Sequence, residues 1–213
     1  MALQMDLFDK TANEVMAAAS YDEFKRRLLA SGCGKCALAA GRTNIVVDRG
    51  SSASRIMVVG EGPGAQEDAR GLAFVGKAGQ LLDKIMESVG LDTDADMLIC
   101  NVVKCRPPEN RTPHSEEVEA CIPYLRRQIE LAAPEIILLL GATALQHIDK
   151  NKKNFSMKDE AGRFFTLPDH PGVRFMVLYH PAALLYNSGL KSKMWEHVKR
   201  LREHLGATPK RAS

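Results

Sequence analysis

The sequence predicts an α/β fold built on a central, mainly parallel four-stranded sheet with helices on both of its faces. Short runs of β-branched and aliphatic residues alternate along the chain with longer helical stretches, and this alternation is typical of a parallel sheet. The composition of the runs indicates strands that are buried on both faces. The 213 residues, 45% of them hydrophobic, suffice for one sizeable core. We therefore expect a single domain over residues 1–205, followed by a disordered tail over residues 206–213.

The predicted elements follow one another in a regular order. Ser20, Asp22 and Glu23 belong to a capping box that predicts a helix up to about residue 30, which Gly32 ends. The four strands are predicted at residues 55–60, 97–103, 135–140 and 174–179. The further helices are predicted at residues 78–89, 115–132, 142–149 and 191–205. Pro123 falls inside one of them and is expected to kink or divide it.

Composition excludes several classes of protein. No apolar run is long enough to span a bilayer, and the N-terminus lacks a basic segment followed by an apolar one, so we expect a soluble, cytoplasmic protein. The net charge of +3 is compatible with a polyanionic partner but does not indicate one. Five cysteines in a chain without export features argue against a disulfide framework, which leaves metal ligation or plain burial.

Unusual residues follow three of the four predicted strands. Residues 60–64 read Gly-Glu-Gly-Pro-Gly, residues 101–105 read Asn-Val-Val-Lys-Cys, and residues 179–182 read Tyr-His-Pro-Ala. Ligands bind beyond the carboxyl ends of the strands in open parallel sheets, so we expect one site there. The glycine-rich turn by itself is a weak signal, and Glu61 and Pro63 do not fit the dinucleotide fingerprint. Nucleotide cofactors are therefore disfavoured.

These segments acquire a more specific meaning when they are taken together with residues 71–79, which read Gly-Leu-Ala-Phe-Val-Gly-Lys-Ala-Gly. In order and spacing, from about residue 33 to residue 195, the chain resembles the family 4 uracil-DNA glycosylases. The resemblance implies a three-layer α/β/α sandwich, a [4Fe–4S] cluster and hydrolytic removal of uracil from single- or double-stranded DNA. It implies uracil-containing DNA as the partner and a monomeric protein without membrane contact, while contact with a sliding clamp is left open.

The chemistry of uracil recognition gives two of these residues a role. A base inside a duplex must be flipped out before an enzyme can reach it, and Phe74 is a candidate to stack on the flipped ring. Asn101 offers one amide donor and one acceptor, which match uracil O4 and N3–H, whereas cytosine presents the reverse polarity. In isolation, Phe74 would be interpreted as a core residue and Asn101 as a turn cap.

Cleavage of the base–sugar bond leaves a uracil anion and a cationic sugar. His180 is the candidate donor to the developing negative charge, since a neutral imidazole can polarise an oxygen without full proton transfer. Glu61 and Glu67 are the acidic candidates for holding water or stabilising the sugar, although either suits a helix N-terminus. In better-known members of the superfamily an Asp activates water from the position of Gly62, so this chain departs from that pattern and Gly62 is expected only to contact the substrate. Residues 182–185 are candidates to wedge into the vacated space or, equally, to pack as a helix.

Four of the five cysteines are candidate metal ligands. Cys33 and Cys36 are separated by two residues, and Cys105 and Cys121 complete a set of four thiolates. Such a set suits zinc or an iron–sulfur cluster, and the ligands alone do not separate the two; the resemblance implies the cluster. Cys100 is predicted to be a core residue.

Several cations are expected to contact DNA phosphates, or else to be ordinary solvated charges. They are Lys104, Arg106, Arg111, Lys191, Lys193, Lys199 and Arg200.

Two other functions remain open from sequence. The first is a uracil-DNA binder that traps DNA covalently without turnover; it requires a histidine-bearing basic insertion, which residues 105–114 lack. The second is an iron–sulfur sensor or scaffold, which would leave uracil-containing DNA intact.

Overall fold

A computed structural model of the chain describes residues 12–207. It contains six strands, β1 (Arg49–Gly50), β2 (Ile56–Gly60), β3 (Met97–Asn101), β4 (Ile136–Leu140), β5 (Phe164–Phe165) and β6 (Arg174–Leu178). They form one sheet in the order β1-β3-β2-β4-β6-β5. Strands β3, β2, β4 and β6 are parallel, whereas β1 and β5 pair antiparallel at the two edges.

The predicted four-stranded sheet is therefore the parallel centre of a six-stranded one. The prediction missed the edge strands because each is two residues long, which is too short to produce a recognisable hydrophobic period. Short edge strands of this kind limit pairing with other chains.

Eight α-helices are described within residues 12–207 with bounds that can be given. They are α1 (Tyr21–Ala30), α2 (Ala65–Arg70), α3 (Lys77–Glu87), α4 (Ser115–Ala132), α5 (Gly141–Ile148), α6 (Met157–Glu160), α7 (Pro181–Tyr186) and α8 (Leu190–Ala207). Ser20 caps α1 as predicted, because its hydroxyl accepts a hydrogen bond from the backbone N–H of Glu23. Helix α4 runs through Pro123 as one element, so the expected division does not occur; buried side chains on either side of Pro123 hold the helix against the core.

The end of α8 corrects the predicted tail. The helix reaches Ala207, so the first two residues expected to be disordered are helical. Residues 208–213, like residues 1–11 of the predicted domain, lie outside the described residues.

The sheet divides the hydrophobic core into two halves. Met57 and Val59 of β2 pack with α1, α4 and α5 on one face, and Ile56 and Val58 pack with α3, α7 and α8 on the other. This layering confirms the predicted α/β/α sandwich. Between residues 12 and 207, no helix combines the length and the apolar character needed to cross a membrane.

The parallel register determines which residues meet beyond the sheet. Gly60 at the end of β2 lies beside Asn101 at the end of β3, and Leu140 at the end of β4 lies beside Leu178 of β6. The unusual residues noted in the sequence therefore emerge side by side from one edge of the sheet.

Candidate active site and cysteine cavity

A cavity of about 640 Å³ opens at this edge of the sheet. It is lined by the segments that follow β2, β3 and β4, by the loop before α3, and by α7. All six residues predicted to bind substrate or to take part in catalysis border it, and they are Glu61, Gly62, Glu67, Phe74, Asn101 and His180. The structure therefore brings the predicted site residues together in one place.

Asn101 lies at the inner end of this cavity. Its side chain is 1% exposed, and its Oδ1 atom is buried without a hydrogen-bond partner among the described residues. A Cβ atom on Gly60 would lie 2.5 Å from this oxygen and 2.5 Å from Cζ of Phe74, so glycine at position 60 makes room for both side chains. An unsatisfied buried acceptor typically costs about 1–3 kcal/mol, and here it faces a cavity in which a ligand can satisfy it.

Phe74 is held in an uncommon backbone conformation. Its φ is +53°, which residues with a side chain seldom adopt. Arg49 Nη1 donates a hydrogen bond of 2.6 Å to the Phe74 carbonyl oxygen. A Cβ atom on Gly79 would lie 1.8 Å from the same oxygen, so only glycine lets α3 approach the loop this closely. The ring, 3% exposed, consequently has a fixed position 5.7 Å from the His180 ring centroid.

Glu67 accounts for much of the rigidity of this loop. Its carboxylate accepts hydrogen bonds from the backbone N–H groups of Gly64 at 3.1 Å, Val75 at 2.9 Å and Gly76 at 2.7 Å. These contacts join the first turn of α2 to the segment that follows Phe74. The carboxylate borders the cavity as predicted, but its contacts are those of a residue that positions the aromatic wall.

Glu61 is the first residue beyond β2. Its carboxylate accepts a hydrogen bond from the hydroxyl of Thr143 in the first turn of α5, which holds it at the cavity wall. Thr143 could not be identified from the sequence, since a threonine near the start of a helix carries no distinguishing pattern.

His180 is the cap of α7 and is neutral. Its Nδ1 accepts a hydrogen bond of 3.2 Å from the backbone N–H of Ala182, so the ring proton resides on Nε2. Burial lowers the pKa of His180 to about 4, although the negative charge of Glu67 opposes the shift. At neutral pH the residue therefore offers one N–H donor and no positive charge.

The four cysteines predicted as ligands, Cys33, Cys36, Cys105 and Cys121, border a second, smaller cavity between α1, α4 and the segment after β3. Cys100 lies apart from them in β3, where it belongs to the hydrophobic core. Among residues 12–207, no group of three or more His, Cys, Asp or Glu side chains is arranged to hold a metal ion.

Three of the sulfur atoms at this cysteine cavity have a polar group within hydrogen-bonding distance, and in the contact between Tyr124 and Cys33 either atom can be the donor. Arg42 Nη1 lies 3.3 Å from Cys105 Sγ, the backbone N–H of Lys104 lies 3.3 Å from Cys121 Sγ, and the Tyr124 hydroxyl lies 3.6 Å from Cys33 Sγ. Burial raises the pKa of Cys121 to about 12 and raises that of Cys105, where the Arg42 hydrogen bond opposes the shift. These thiols need a bound cation to become thiolates at neutral pH.

The prediction that Lys104 contacts a DNA phosphate is wrong. Its side chain is 1% exposed, and its Nζ donates to the backbone oxygen of Asn101 at 2.7 Å and to Oε1 of Gln128. It therefore cannot contact a DNA phosphate, because the turn after β3 points it inward. Gln128 continues the network by donating to the Tyr21 hydroxyl at 2.7 Å, which ties α1 and α4 to the strand that carries Asn101.

The remaining predicted cations are more accessible. Arg111 borders the large cavity and holds Glu117 through two hydrogen bonds of 2.8 and 2.7 Å, and Arg106 donates to Asn110 at 2.8 Å. The four cations predicted on the last helix are exposed, and they are Lys191, Lys193, Lys199 and Arg200.

The predicted wedge at residues 182–185 divides into different environments. Leu184 is 2% exposed and belongs to the core, so it cannot enter DNA. Leu185, 48% exposed, and Tyr186, 91% exposed, both border the mouth of the cavity. Tyr186 lies just beyond the predicted segment and was not singled out from the sequence.

Comparison with known proteins places this geometry in context. Residues 47–202 match the family model of the uracil DNA glycosylase superfamily. The chain is similar to the type-4 uracil-DNA glycosylase of Saccharolobus solfataricus, with 42% identity over 83% of this chain and 83% of the relative. It is also similar to the type-4 enzymes of Sulfurisphaera tokodaii, with 42% identity over 90% and 87%, and of Thermotoga maritima, with 44% identity over 73% and 79%.

Proposed function

The chain belongs to the uracil-DNA glycosylase superfamily, and from this premise we propose how its residues carry out the reaction. It is a DNA-repair enzyme that excises uracil by hydrolysing the N-glycosidic bond. The observation that carries the mechanism is the buried, unpartnered Oδ1 of Asn101, which shares one cavity with Phe74 and a neutral His180.

Uracil binds with its ring against Phe74 and its edge against Asn101. Oδ1 accepts from N3–H of the base and Nδ2 donates to O4, so the buried acceptor finds its partner only when uracil is present. Cytosine would place an acceptor against Oδ1 and a donor against Nδ2. At about 1–3 kcal/mol for each unsatisfied buried group, two mismatches give discrimination of two orders of magnitude or more.

The base then leaves with the electron pair of the glycosidic bond. Negative charge develops on the uracil ring, and the Nε2–H of His180 donates a hydrogen bond to O2, which stabilises the leaving anion without transferring the proton. The sugar acquires oxocarbenium character, and Glu61, held by Thr143, stabilises it and orients the water that adds to C1′. The proton that this water loses neutralises the uracil anion, so that the products are neutral uracil and an abasic sugar. Glu67 fixes the loop that carries Phe74, and Gly62 lines the substrate cavity.

The four cysteines at the second cavity hold a [4Fe–4S] cluster in this proposal. Four thiolates are the ligand set that such a cluster would require, and these four cysteines border one cavity. The three donors directed at Cys33, Cys105 and Cys121 suit thiolates bound to such a group. When bound, the cluster would link the segment after α1 and the segment after β3 to Cys121 of α4, which is a structural function.

Further expectations concern the substrate form and the setting of the reaction. Either single- or double-stranded DNA that contains uracil is the partner, and the enzyme acts as a monomer in the cytoplasm. The exposed cations of α8 and the partly exposed Arg111 are expected to contact phosphates.

The test is incubation of the anaerobically purified protein with a uracil-containing oligonucleotide, followed by alkaline cleavage at abasic sites. His180→Ala should lower the single-turnover rate by about 10²–10³-fold, as removal of a donor to a developing anion does. Asn101→Ala should lower it by at least about 10-fold, and Asn154→Ala, at an exposed position, should leave it unchanged.

If both site variants matched the parent rate, the site assignment would be wrong. Intact DNA after incubation with the wild-type protein would contradict glycosylase activity itself. An adduct with DNA that resists SDS would point instead to covalent trapping.

A further inference from the structure

Two exposed side chains border the mouth of the uracil cavity without a part in the steps above. Tyr186 is 91% exposed and Leu185 is 48% exposed. Among the large hydrophobic side chains of the described residues, Tyr186 is the most exposed. Isolated exposed apolar residues are ordinary on protein surfaces, but this pair lies at the rim of a substrate cavity.

The position of Tyr186 is coupled to that of His180. Helix α7 starts at His180, whose ring accepts from the Ala182 N–H, and it is anchored by the buried Pro181 and Leu184. The Asn187 N–H closes its last turn on the Ala183 carbonyl oxygen at 2.9 Å. Six residues of helix rise about 9 Å between the backbone positions of His180 and Tyr186, which is on the scale of a few nucleotide rises of about 3.4 Å.

We propose that Tyr186 provides a stacking site for the base next to the extruded uracil in the same strand. The inference rests on the proposed function, because it needs a nucleotide in the cavity. An aromatic ring stacks on any base and so adds affinity without sequence readout, whereas the aliphatic Leu185 can only fill space. The exposed Lys191 and Lys193 follow five and seven positions later, and these charges suit a phosphodiester chain as the occupant.

The stacking site is expected to matter most for uracil in single-stranded DNA. In a single strand the neighbouring base has no partner strand to stabilise its position after uracil leaves the stack. Tyr186 replaces the stacking that this base loses. A purine neighbour, with its larger ring face, is bound more tightly than a pyrimidine.

The test uses a single-stranded oligonucleotide with 2′-fluoro-2′-deoxyuridine, which resists cleavage, next to the fluorescent base 2-aminopurine. Wild-type protein and Tyr186→Phe should quench the fluorescence on binding, and Tyr186→Ala should not. The affinity of Tyr186→Ala should fall by about 5- to 150-fold, while its single-turnover rate at saturation stays unchanged. Leu29→Ala, at a position 49% exposed on α1, is the control and should behave as wild type.

Equal quenching and affinity in wild type and Tyr186→Ala would overturn the inference. Quenching by wild type only when 2-aminopurine lies opposite uracil in a duplex would also overturn it, since the ring would then insert into the vacated space. A cleavable oligonucleotide distinguishes failure of the proposed function from failure of the stacking site alone. Failure of the wild type to excise uracil refutes the function, whereas normal excision with no effect of Tyr186→Ala refutes only the stacking site.

Discussion

The uracil cavity and the cysteine cavity satisfy their polar atoms in opposite ways. In the first, Asn101 Oδ1 is buried without a partner among the described residues, and a neutral His180 lines the same cavity. In the second, three of the four sulfur atoms already have a donor within 3.6 Å. The first cavity therefore retains a buried acceptor for a ligand, whereas most sulfur atoms at the second cavity already have a hydrogen-bonding partner.

This difference fits the residence times expected of the two proposed occupants, uracil and the cluster. A base that binds and leaves in every catalytic cycle must find unsatisfied groups, since these produce discrimination when they are matched. A permanent group is better served by ligands whose surroundings are complete before it binds. Lys104 lies between the two cavities, with its backbone N–H on Cys121 and its ammonium on the Asn101 carbonyl.

The largest expected effect follows from removing Cys121, a proposed ligand of the cluster. Cys121→Ala should abolish the visible absorbance and the iron content of the purified protein. It should lower Tm by about 10 °C or more, because the binding free energy of such a group contributes directly to folding. Cys100→Ala alters a buried cysteine outside the set and should keep the iron while lowering Tm by only a few degrees. Equal iron content in the two variants would remove Cys121 from the ligand set.

A smaller effect is expected from replacing Lys104, which contacts both Cys121 and Asn101. Lys104→Met leaves the Asn101 carbonyl and Gln128 Oε1 without their donor, which should lower the free energy of unfolding by about 2–4 kcal/mol. The excision rate should fall as well, because the Asn101 carbonyl loses the hydrogen bond from Lys104 that helps to fix Asn101 in place. Lys199→Met, at an exposed position, serves as the control. Because Lys104 is buried, the salt dependence of DNA binding should be the same in Lys104→Met as in wild type. A smaller slope of log affinity against log salt concentration in the variant would show that Lys104 contacts a phosphate.

The smallest effect is the contribution of the neutral His180 to the pH dependence of the free energy of unfolding. His180 titrates near 4 in the folded protein and near its usual value of about 6.5 in the unfolded chain. Between these values the unfolded state binds more protons, so the stability that neutral His180 permits is complete above pH 6.5 and declines as the pH falls towards 4. The contribution to the free energy of unfolding is at most about 3 kcal/mol.

Denaturant titrations of wild type and His180→Gln across this pH range measure that contribution. The variant should lose less stability than wild type between pH 6.5 and 4. The excision rate of wild type should stay level from pH 8 down to about pH 5, because the imidazole remains neutral. Parallel stability curves for the two proteins would show that His180 titrates normally.

Much of the fold could be predicted because the four central strands carry long apolar runs. Burial on both faces of a parallel strand leaves a local signature, and β2, β3, β4 and β6 each begin or end within two residues of the predicted bounds. The edge strands β1 and β5 carry no such signature, since two residues have no period. The helix α2 was missed as an element for a similar reason, because it spans six residues, and the equally short α7 was predicted only as the alternative to a wedge at residues 182–185.

The candidate site shows the same division between local and distant information. Asn101, Phe74 and His180 were identified because each follows a strand or lies in a glycine-bounded loop, and their chemistry matches uracil. The sequence could not show that Lys104 turns inward or that Leu184 packs into the core, since neighbours from distant segments decide both. It also gave no sign that Thr143 holds Glu61, because that contact joins positions 82 residues apart.

The order of residue types along the chain determined by itself which groups are available for recognition, catalysis and metal binding. Only the tertiary structure decided which of them keep free hydrogen-bonding capacity. The physical reason is that burial and hydrogen-bond satisfaction depend on every atom nearby. What packs around a polar side chain decides that Asn101 keeps an acceptor for a ligand, that Glu67 fixes a loop and that Lys104 is a buried structural contact.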